Sequence, residues 1–374
     1  MKLMIVFGTR PEVIKLSPVI ELASHDPNID LTICSTGQHR EMLHQTLRVL
    51  NIEPDVDLDV MAQNQMLSNL TAALTTTLAN CFANGKPDIV MVQGDTTTAF
   101  VASLMAFYAK IPVAHVEAGL RTGNLNSPFP EEFNRISIAQ IATWHFAPTV
   151  QAKANLATEG VDTNCIYVVG NTIIDALNSL AGSQEKIEGL IKTASIVPKR
   201  NFVLVTAHRR ENHGDGIHSL CKAIKQLAIE YTNLDFIFPV HLNPNVRHSI
   251  NSEMQGHPQI FLVEPVDFST MLFLEAKANV IITDSGGIQE EATSFCTPVV
   301  IMRDSTERTE GIQQGFAILA GTSTEDIIRA TKFYLNHLNI KNDLTHKPNP
   351  YGDGLAANRI LKVLHDQKIS EFSR

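Results

Sequence analysis

Apolar and polar positions change places along this chain in whole segments. Short, continuously apolar runs occupy 2–8, 30–36, 88–93, 112–116 and 166–169. Runs without alternation are the pattern of parallel strands covered on both faces. Between them the apolar positions recur at helical spacing, which predicts helices over 11–23, 97–108 and 131–141. After the polar stretch "SQEKIEGLIKTASIVPKRN" a second series begins, with strands at 202–206, 235–240, 259–263, 279–283 and 298–302. The turn-rich "NPYGDG" at 349–354 precedes a last amphipathic helix over 355–366, placed to cross back onto the first series. Strand and helix alternating in two blocks predict an α/β chain of two doubly wound, Rossmann-like domains. The expected boundaries are 1–170, joined by 355–374, and 171–354.

Composition narrows the partners. A chain of 374 residues exceeds one ordinary core, and 44% hydrophobic with 18% charged residues describes a globular protein. The formal net charge of −9 argues against nucleic acid, which needs an excess of Lys and Arg. Any anionic ligand must be held by a few local cations. There is no apolar run of about 18 residues and no small-residue cleavage site, so neither a membrane span nor a signal peptide is expected. Five cysteines without a CxxC spacing fit a reducing compartment, and the expectation is a cytoplasmic enzyme. The 14 histidines show no HExxH and no zinc-like spacing, so no metal is expected.

In open parallel sheets ligands bind beyond the carboxyl ends of strands, and here those ends read "GTRPE", "GDTTT", "EAGLR", "AHRRE", "HLNPN" and "DSGG". Arg10 and Lys15 lie near a helix start, where cations are disfavoured by the macrodipole; a phosphate ligand or a solvated surface explains them. Ser285, Gly286 and Gly287 offer a hydroxyl and bare amides to a phosphate, with Glu291 one turn on for the hydroxyls of a ribose. A tight turn ahead of an acidic first helical turn is the alternative. Asp95 is either a helix cap or a reactive carboxylate. Glu117 ends an apolar strand, where a solvated charge is less natural. Glu131 is a dipole partner in a first turn or a third carboxylate of an acid–base set. His208 ends a strand directly ahead of Arg209 and Arg210 and suits an anion contact, proton transfer or a structural bond. No GxGxxG occurs, so no dinucleotide cofactor is expected.

In this order the stretches "VFGTRPEVIKLSPV", "GQHREML", "GDTTT", "PVAHVEAGLRTGNLNSPFPEEFNR", "GNTIIDAL", "TAHRREN", "PVHLNPNVR", "ITDSGGIQEEA", "MRDSTERTEG" and "NPYGDG" resemble the non-hydrolysing UDP-N-acetylglucosamine 2-epimerases over almost the whole chain. The resemblance implies a GT-B-type fold, a UDP-sugar held in the cleft between the domains, and a homodimer. It implies substrate contacts from Arg10, Lys15 and Arg308, and catalytic roles for Asp95, Glu117, Glu131 and His208. Ser285, Gly286 and Gly287 match its diphosphate contact and Glu291 its ribose contact. Val266 and Met271 fall where relatives surround the uracil, often with Gln or Leu and with Phe. Gln38, His39 and Arg40 match the allosteric UDP-sugar loop of some members, while Asn64 stands where some regulated members have Arg.

The implied reaction is inversion at carbon 2 of UDP-N-acetylglucosamine to give UDP-N-acetylmannosamine, supplying precursors for surface polysaccharide. Carbon 2 has no adjacent carbonyl and its proton is barely acidic. Inversion therefore needs transient oxidation or loss of the neighbouring UDP. Without a dinucleotide fingerprint, anti elimination to 2-acetamidoglucal and re-addition is the expected route, with no cofactor. The alternatives are a GT-B glycosyltransferase, a hydrolysing epimerase that releases N-acetylmannosamine, and a UDP-sugar sensor without catalysis.

Overall fold

A computed structural model describes residues 1–37, 40–60, 65–182, 184–191, 194, 196–207, 214–240 and 244–373. The chain divides into two compact units, Met1–Ala176 with Tyr351–Arg374, and Leu177–Pro350.

The first unit alternates β1 (Lys2–Phe7), α1 (Arg10–Ser24), β2 (Asp30–Ser35), α2 (Arg40–Leu50), β3 (Val56–Asp57), α3 (Leu67–Gly85) and β4 (Ile89–Gln93). It continues through α4 (Thr97–Tyr108), β5 (Val113–Val116), α5 (Glu131–Ala139), β6 (Trp144–Ala147), α6 (Val150–Thr158) and β7 (Ile166–Val168) into α7 (Thr172–Ala181). Its parallel sheet has the order β3-β2-β1-β4-β5-β6-β7. Side chains of a strand alternate between faces, and both faces of β1 are buried. Leu3, Ile5 and Phe7 enter one core with α1 residues Val13 and Leu16. Met4 and Val6 enter another with Leu74 and Leu78 of α3. That is why these strands carry no polar alternation.

The second unit contains α8 (Gln184–Ile191), β8 (Phe202–Thr206), α9 (Asp215–Glu230), β9 (Asp235–Pro239), α10 (Pro244–Met254), β10 (Ile260–Val263) and α11 (Phe268–Lys277). There follow β11 (Val280–Thr283), α12 (Gly286–Ser294), β12 (Val299–Ile301), α13 (Thr309–Gln313), β13 (Ala317–Leu319), α14 (Thr324–Leu335) and α15 (Ile340–Thr345). The sheet order is β10-β9-β8-β11-β12-β13. Val203 and Val205 face one core, Phe202 and Leu204 the other. The expected class, two doubly wound α/β domains, is what the structure contains.

Some elements were not foreseen. β3, β6 and β13, two to four residues long, lie outside the apolar runs read as strands. The polar stretch ahead of the second series contains α8, whose Ile187 and Leu190 pack against the core with Ala194 and Ile196. Inside α1, Pro18 has no N–H to give the Ile14 carbonyl, and the Ser17 hydroxyl donates to that carbonyl at 2.8 Å instead.

The chain's return to the first unit is built from side-chain bonds. The final helix, α16 (Ala356–Leu364), receives its first-turn bond from Asp175, whose Oδ1 accepts from the Ala357 amide at 2.9 Å. Arg359 grips Asp353 with two donors, at 2.7 and 2.6 Å, and donates to the carbonyls of Val169 and Ser370. Gly170 (φ +92°) and Gly352 allow the backbones to meet, since a Cβ on Gly352 would lie 3.1 Å from the Ile174 side chain. No helix among the described residues is long and apolar enough to cross a membrane.

Candidate functional site

Each sheet reverses its winding between two neighbouring strands, β1 and β4 in the first unit, β8 and β11 in the second. Such switch points open the crevice in which doubly wound sheets hold ligands. Most of the residues singled out from the sequence lie at or beside these two places.

In the first unit, β1 pairs with β4 so that Leu3 lies opposite Ile89 and Ile5 opposite Met91. This carries the Gly8–Arg10 and Gly94–Thr96 loops to the same end of the sheet. Arg10 opens α1, half-buried, with Pro11 second, in the first turn that tolerates proline. Lys15 is only 6% exposed. Its Nζ donates to Glu117 Oε2 at 2.5 Å, and the Gln93 amide donates to the same oxygen at 2.5 Å. Glu117 has φ +66°, a left-handed conformation that costs a residue with a Cβ about 1–2 kcal/mol. Non-glycine residues held this way concentrate at functional sites.

The helix-cap alternative for Asp95 is resolved: Thr96 is the cap of α4, its hydroxyl accepting from the Ala99 amide at 3.0 Å. Asp95 instead accepts from Arg135 at 2.5 Å through Oδ2, and its carbonyl accepts from Asn134 at 2.8 Å. Arg135 also pairs with Glu132 at 3.2 Å, and Glu132 takes the Thr122 and Gly123 amides. So α5, which Glu131 opens half-buried, carries the side chains that fix Asp95. His115 is fully buried, which drives its pKa down to about 3. As a neutral ring it donates from Nε2 to the Gly94 carbonyl at 2.7 Å, pinning the loop that ends in Asp95.

Glu12 is the residue the sequence reading missed. It is 1% exposed, and burial raises its carboxyl to about 7. Its Oε2 accepts from the amides of Thr9 at 2.7 Å and Gly8 at 3.1 Å, and its Oε1 from the Thr96 hydroxyl at 2.7 Å. Thr-x-x-Glu, legible at 9–12, is the pattern of a capping box. Gln93, Glu132 and Arg135 were missed as well; of these only the i,i+3 pair Glu132–Arg135 leaves a trace in sequence.

In the second unit Ser285 caps α12. The Thr283 hydroxyl takes the Ser285 amide at 2.9 Å and meets the Thr206 hydroxyl at 2.6 Å. Arg308 is 8% exposed and lies across the first turn of α12: a Cβ on Gly286 would be 2.6 Å from its Nη1. Its Nε donates to Glu290 at 2.6 Å and its Nη1 to Glu307, which also holds Arg303 at 3.1 Å. The sequence reading gave no role to Glu290, Glu307 or Arg303. Glu291 is half-buried, and a Cβ on Gly287 would lie 3.6 Å from its Oε1. Val266 is 8% exposed within the core, with Met271 packed against the same cluster. His208, Gln38 and His39 lie outside the described residues, as does Asn64; Arg40 begins α2, its side chain outside the description.

A sequence profile of the family described as UDP-N-acetylglucosamine 2-epimerase matches residues 21–365. The chain belongs to that family. It is 43% identical to the UDP-N-acetylglucosamine 2-epimerase of Yersinia pestis over 99% of this chain and 100% of the relative. A crystal structure of the UDP-GlcNAc 2-epimerase from Neisseria meningitidis, bound to UDP-GlcNAc, matches with a TM-score of 0.91 at 42% identity, covering 98% of this chain and 100% of that one. The Methanocaldococcus jannaschii UDP-GlcNAc 2-epimerase, in complex with UDP-GlcNAc and UDP, matches at 0.85 and 35% identity, with coverage of 98% and 100%. The 2-epimerase family thus spans both units of this chain, and its members' GT-B-like fold agrees with the two sheets seen here.

Two predictions follow from these contacts. Gly286→Ala forces Arg308 off two buried carboxylates, and overpacking of this kind costs about 1–3 kcal/mol. Gly287→Ala meets only ordinary contact and stays within about 0.5 kcal/mol of wild type or gains slightly from helix propensity. Urea denaturation of the pair decides it, and equal stabilities would remove the steric role given to Gly286.

The second concerns pH. Between pH 4.5 and 7 the unfolded chain has lost the Glu12 proton while the folded one keeps it. More protons bound by the folded state mean that stability falls as pH rises. For a shift from 4.5 to about 7 the fall is about 3 kcal/mol across this window. Asp175, pushed up to about 6 by burial, adds in the same direction. Glu12→Gln should flatten the slope in part, leaving the Asp175 share. An unchanged slope in denaturation series at pH 5, 6 and 7 would count against the buried acid.

Proposed function

We propose that this chain interconverts UDP-N-acetylglucosamine and UDP-N-acetylmannosamine by anti elimination of UDP to 2-acetamidoglucal and re-addition. A carboxylate takes the proton from carbon 2 as the bond from carbon 1 to the diphosphate breaks and a carbon 1–carbon 2 double bond forms. UDP then returns to carbon 1, and a second group delivers a proton to the opposite face of carbon 2. The observation that carries the reading is the Lys15–Glu117 pair at a switch point, a carboxylate held in a costly backbone conformation by two donors. Binding a nucleotide alone requires no such group.

We assign proton transfer to Glu117, Asp95 and Glu131 of the first unit. Ser285, Gly286 and Gly287 are assigned to the diphosphate, where the first turn of α12 and its macrodipole favour negative charge. Arg308 supplies the charge that offsets the developing UDP anion, and Glu291 faces the ribose. The buried Val266 and the partly buried Met271 support the uracil from the core side, through backbone more than side chain at Val266. The product supplies precursors for surface polysaccharide, and the compartment is the cytoplasm.

Incubation with UDP-N-acetylglucosamine in heavy water tests the route. Deuterium should appear at carbon 2 of UDP-N-acetylmannosamine, and product free of deuterium would exclude exchangeable deprotonation. Free N-acetylmannosamine in place of the UDP-sugar would instead mark a hydrolysing enzyme, and no isomer at all a transferase or sensor. Glu117→Gln and Asp95→Asn should each lower turnover by about a hundredfold or more. Full activity in either returns that residue to a structural role.

The homodimer has one support in the first unit. Phe107 and Tyr108, at the end of α4, are 57% and 68% exposed, and Phe133 of α5 is exposed beside Phe100. Grouped exposed aromatics mark interaction surfaces. Sedimentation should show a dimer that Phe107→Glu dissociates; a wild-type monomer at micromolar concentration rejects the proposal.

A further inference from the structure

We infer that Glu12 is a positioning residue for the proposed epimerase reaction: one buried carboxyl sets the loop carrying Arg10 against the loop carrying Asp95. The inference rests on the proposed function for its catalytic part and on geometry for the rest.

A capping box at a protein surface leaves its acid in water and acts on one helix. Glu12 does neither. It is 1% exposed, so its polar atoms must be satisfied by protein, and the satisfaction comes from two places far apart in sequence. Oε2 accepts from the amides of Gly8 and Thr9, at the start of α1. Oε1 accepts from the hydroxyl of Thr96, which caps α4 by accepting from the Ala99 amide. Arg10 directly follows Thr9, and Asp95 directly precedes Thr96. The candidate substrate contact Arg10 and the candidate catalytic carboxylate Asp95 are therefore each one peptide away from a residue that Glu12 holds. The β1–β4 pairing delivers the two loops to one end of the sheet, but strand pairing stops at the strand ends. Beyond them, the Glu12–Thr96 bond joins the two helix starts.

An error of about 1 Å in placement costs turnover more than binding when it falls on groups that act in the transition state. Arg10 and Asp95 move if the bridge is lost, while the sheet beneath them does not. Glutamine can replace the bridge: its carbonyl accepts the two amides and its amide donates to the Thr96 hydroxyl, which has lone pairs to spare. Alanine cannot.

The experiment combines kinetics with hydrogen exchange on the full-length protein. Glu12→Ala should lose at least tenfold in kcat with KM within threefold of wild type, and Glu12→Gln should recover kcat to within threefold. Thr96→Val breaks the bridge from the other side, with Thr96→Ser as the control that keeps both cap and donor. In the double variant Glu12→Ala/Thr96→Val the losses should not multiply, because one bridge is being removed twice. Hydrogen exchange in Glu12→Ala should quicken both at residues 8–12 and at the first turn of α4.

Quickening confined to residues 8–12 would reduce Glu12 to an ordinary cap and overturn the inference. So would wild-type kcat in a folded Glu12→Ala protein, or a Gln variant as impaired as Ala. A wild-type chain without epimerase activity would defeat the proposed function alone, and the exchange data would still decide whether Glu12 couples the loops.

Discussion

A lysine almost withdrawn from water organises the first unit's site. Lys15 sits on the second turn of α1, close to the positive end of that helix, and is 6% exposed. A charge there is affordable only beside an anion. Glu117 supplies it from the loop after β5, and to do so its backbone enters the left-handed region. Removing one partner of such a pair leaves an uncompensated buried charge, typically a loss of about 3–5 kcal/mol. The neighbouring contacts read as the means of keeping that geometry. Gln93 fixes the shared oxygen, and neutral His115 ties the β5 strand to the Gly94 loop.

The second unit meets the same constraint with different residues. Arg308 crosses the start of α12, where the helix dipole repels it, so two carboxylates, Glu290 and Glu307, hold it there. The approach requires a residue without a side chain at Gly286. A glycine that sequence alone offers as a bare amide for phosphate is here the residue that seats an arginine. Both units place a buried cation beside a helix start and neutralise it with acid of their own. A chain of net charge −9 can in this way keep positive charge where an anion would meet it, without a basic surface.

How much of this was legible depended on whether a residue's partners were local. The strands of both sheets were readable because burial on two faces removes polar alternation, and Phe202–Thr206 and Thr97–Tyr108 fall where the pattern put them. β3, only two residues long, is too short to make a pattern, and β6 and β13 lie outside the apolar runs read as strands. Strand ends pointed to Asp95, Glu117 and Ser285 because a polar residue at the end of an apolar run is conspicuous by itself. The partners were not legible. Arg135 is 40 residues from Asp95 and Glu117 is 102 from Lys15, and nothing in sequence pairs them. Asp95 shows what this costs: locally it reads as a cap, and only the neighbouring Thr96, which does the capping, releases it for the pair with Arg135.

Fold by itself does not separate an epimerase from a transferase, since chemistry resides in sites grafted on shared folds. What separates them here is the location of acid. Holding a nucleotide sugar needs amides, a few donors and a cation, all of which the α12 end of the second unit provides. The first unit adds carboxylates, and two of them are not spent on a helix cap: Thr96 caps α4 beside Asp95, and Glu117 enters the left-handed region to meet Lys15. Structure maintained at an energetic cost, in a family whose members are 2-epimerases, argues for groups that move protons over groups that only hold a ligand.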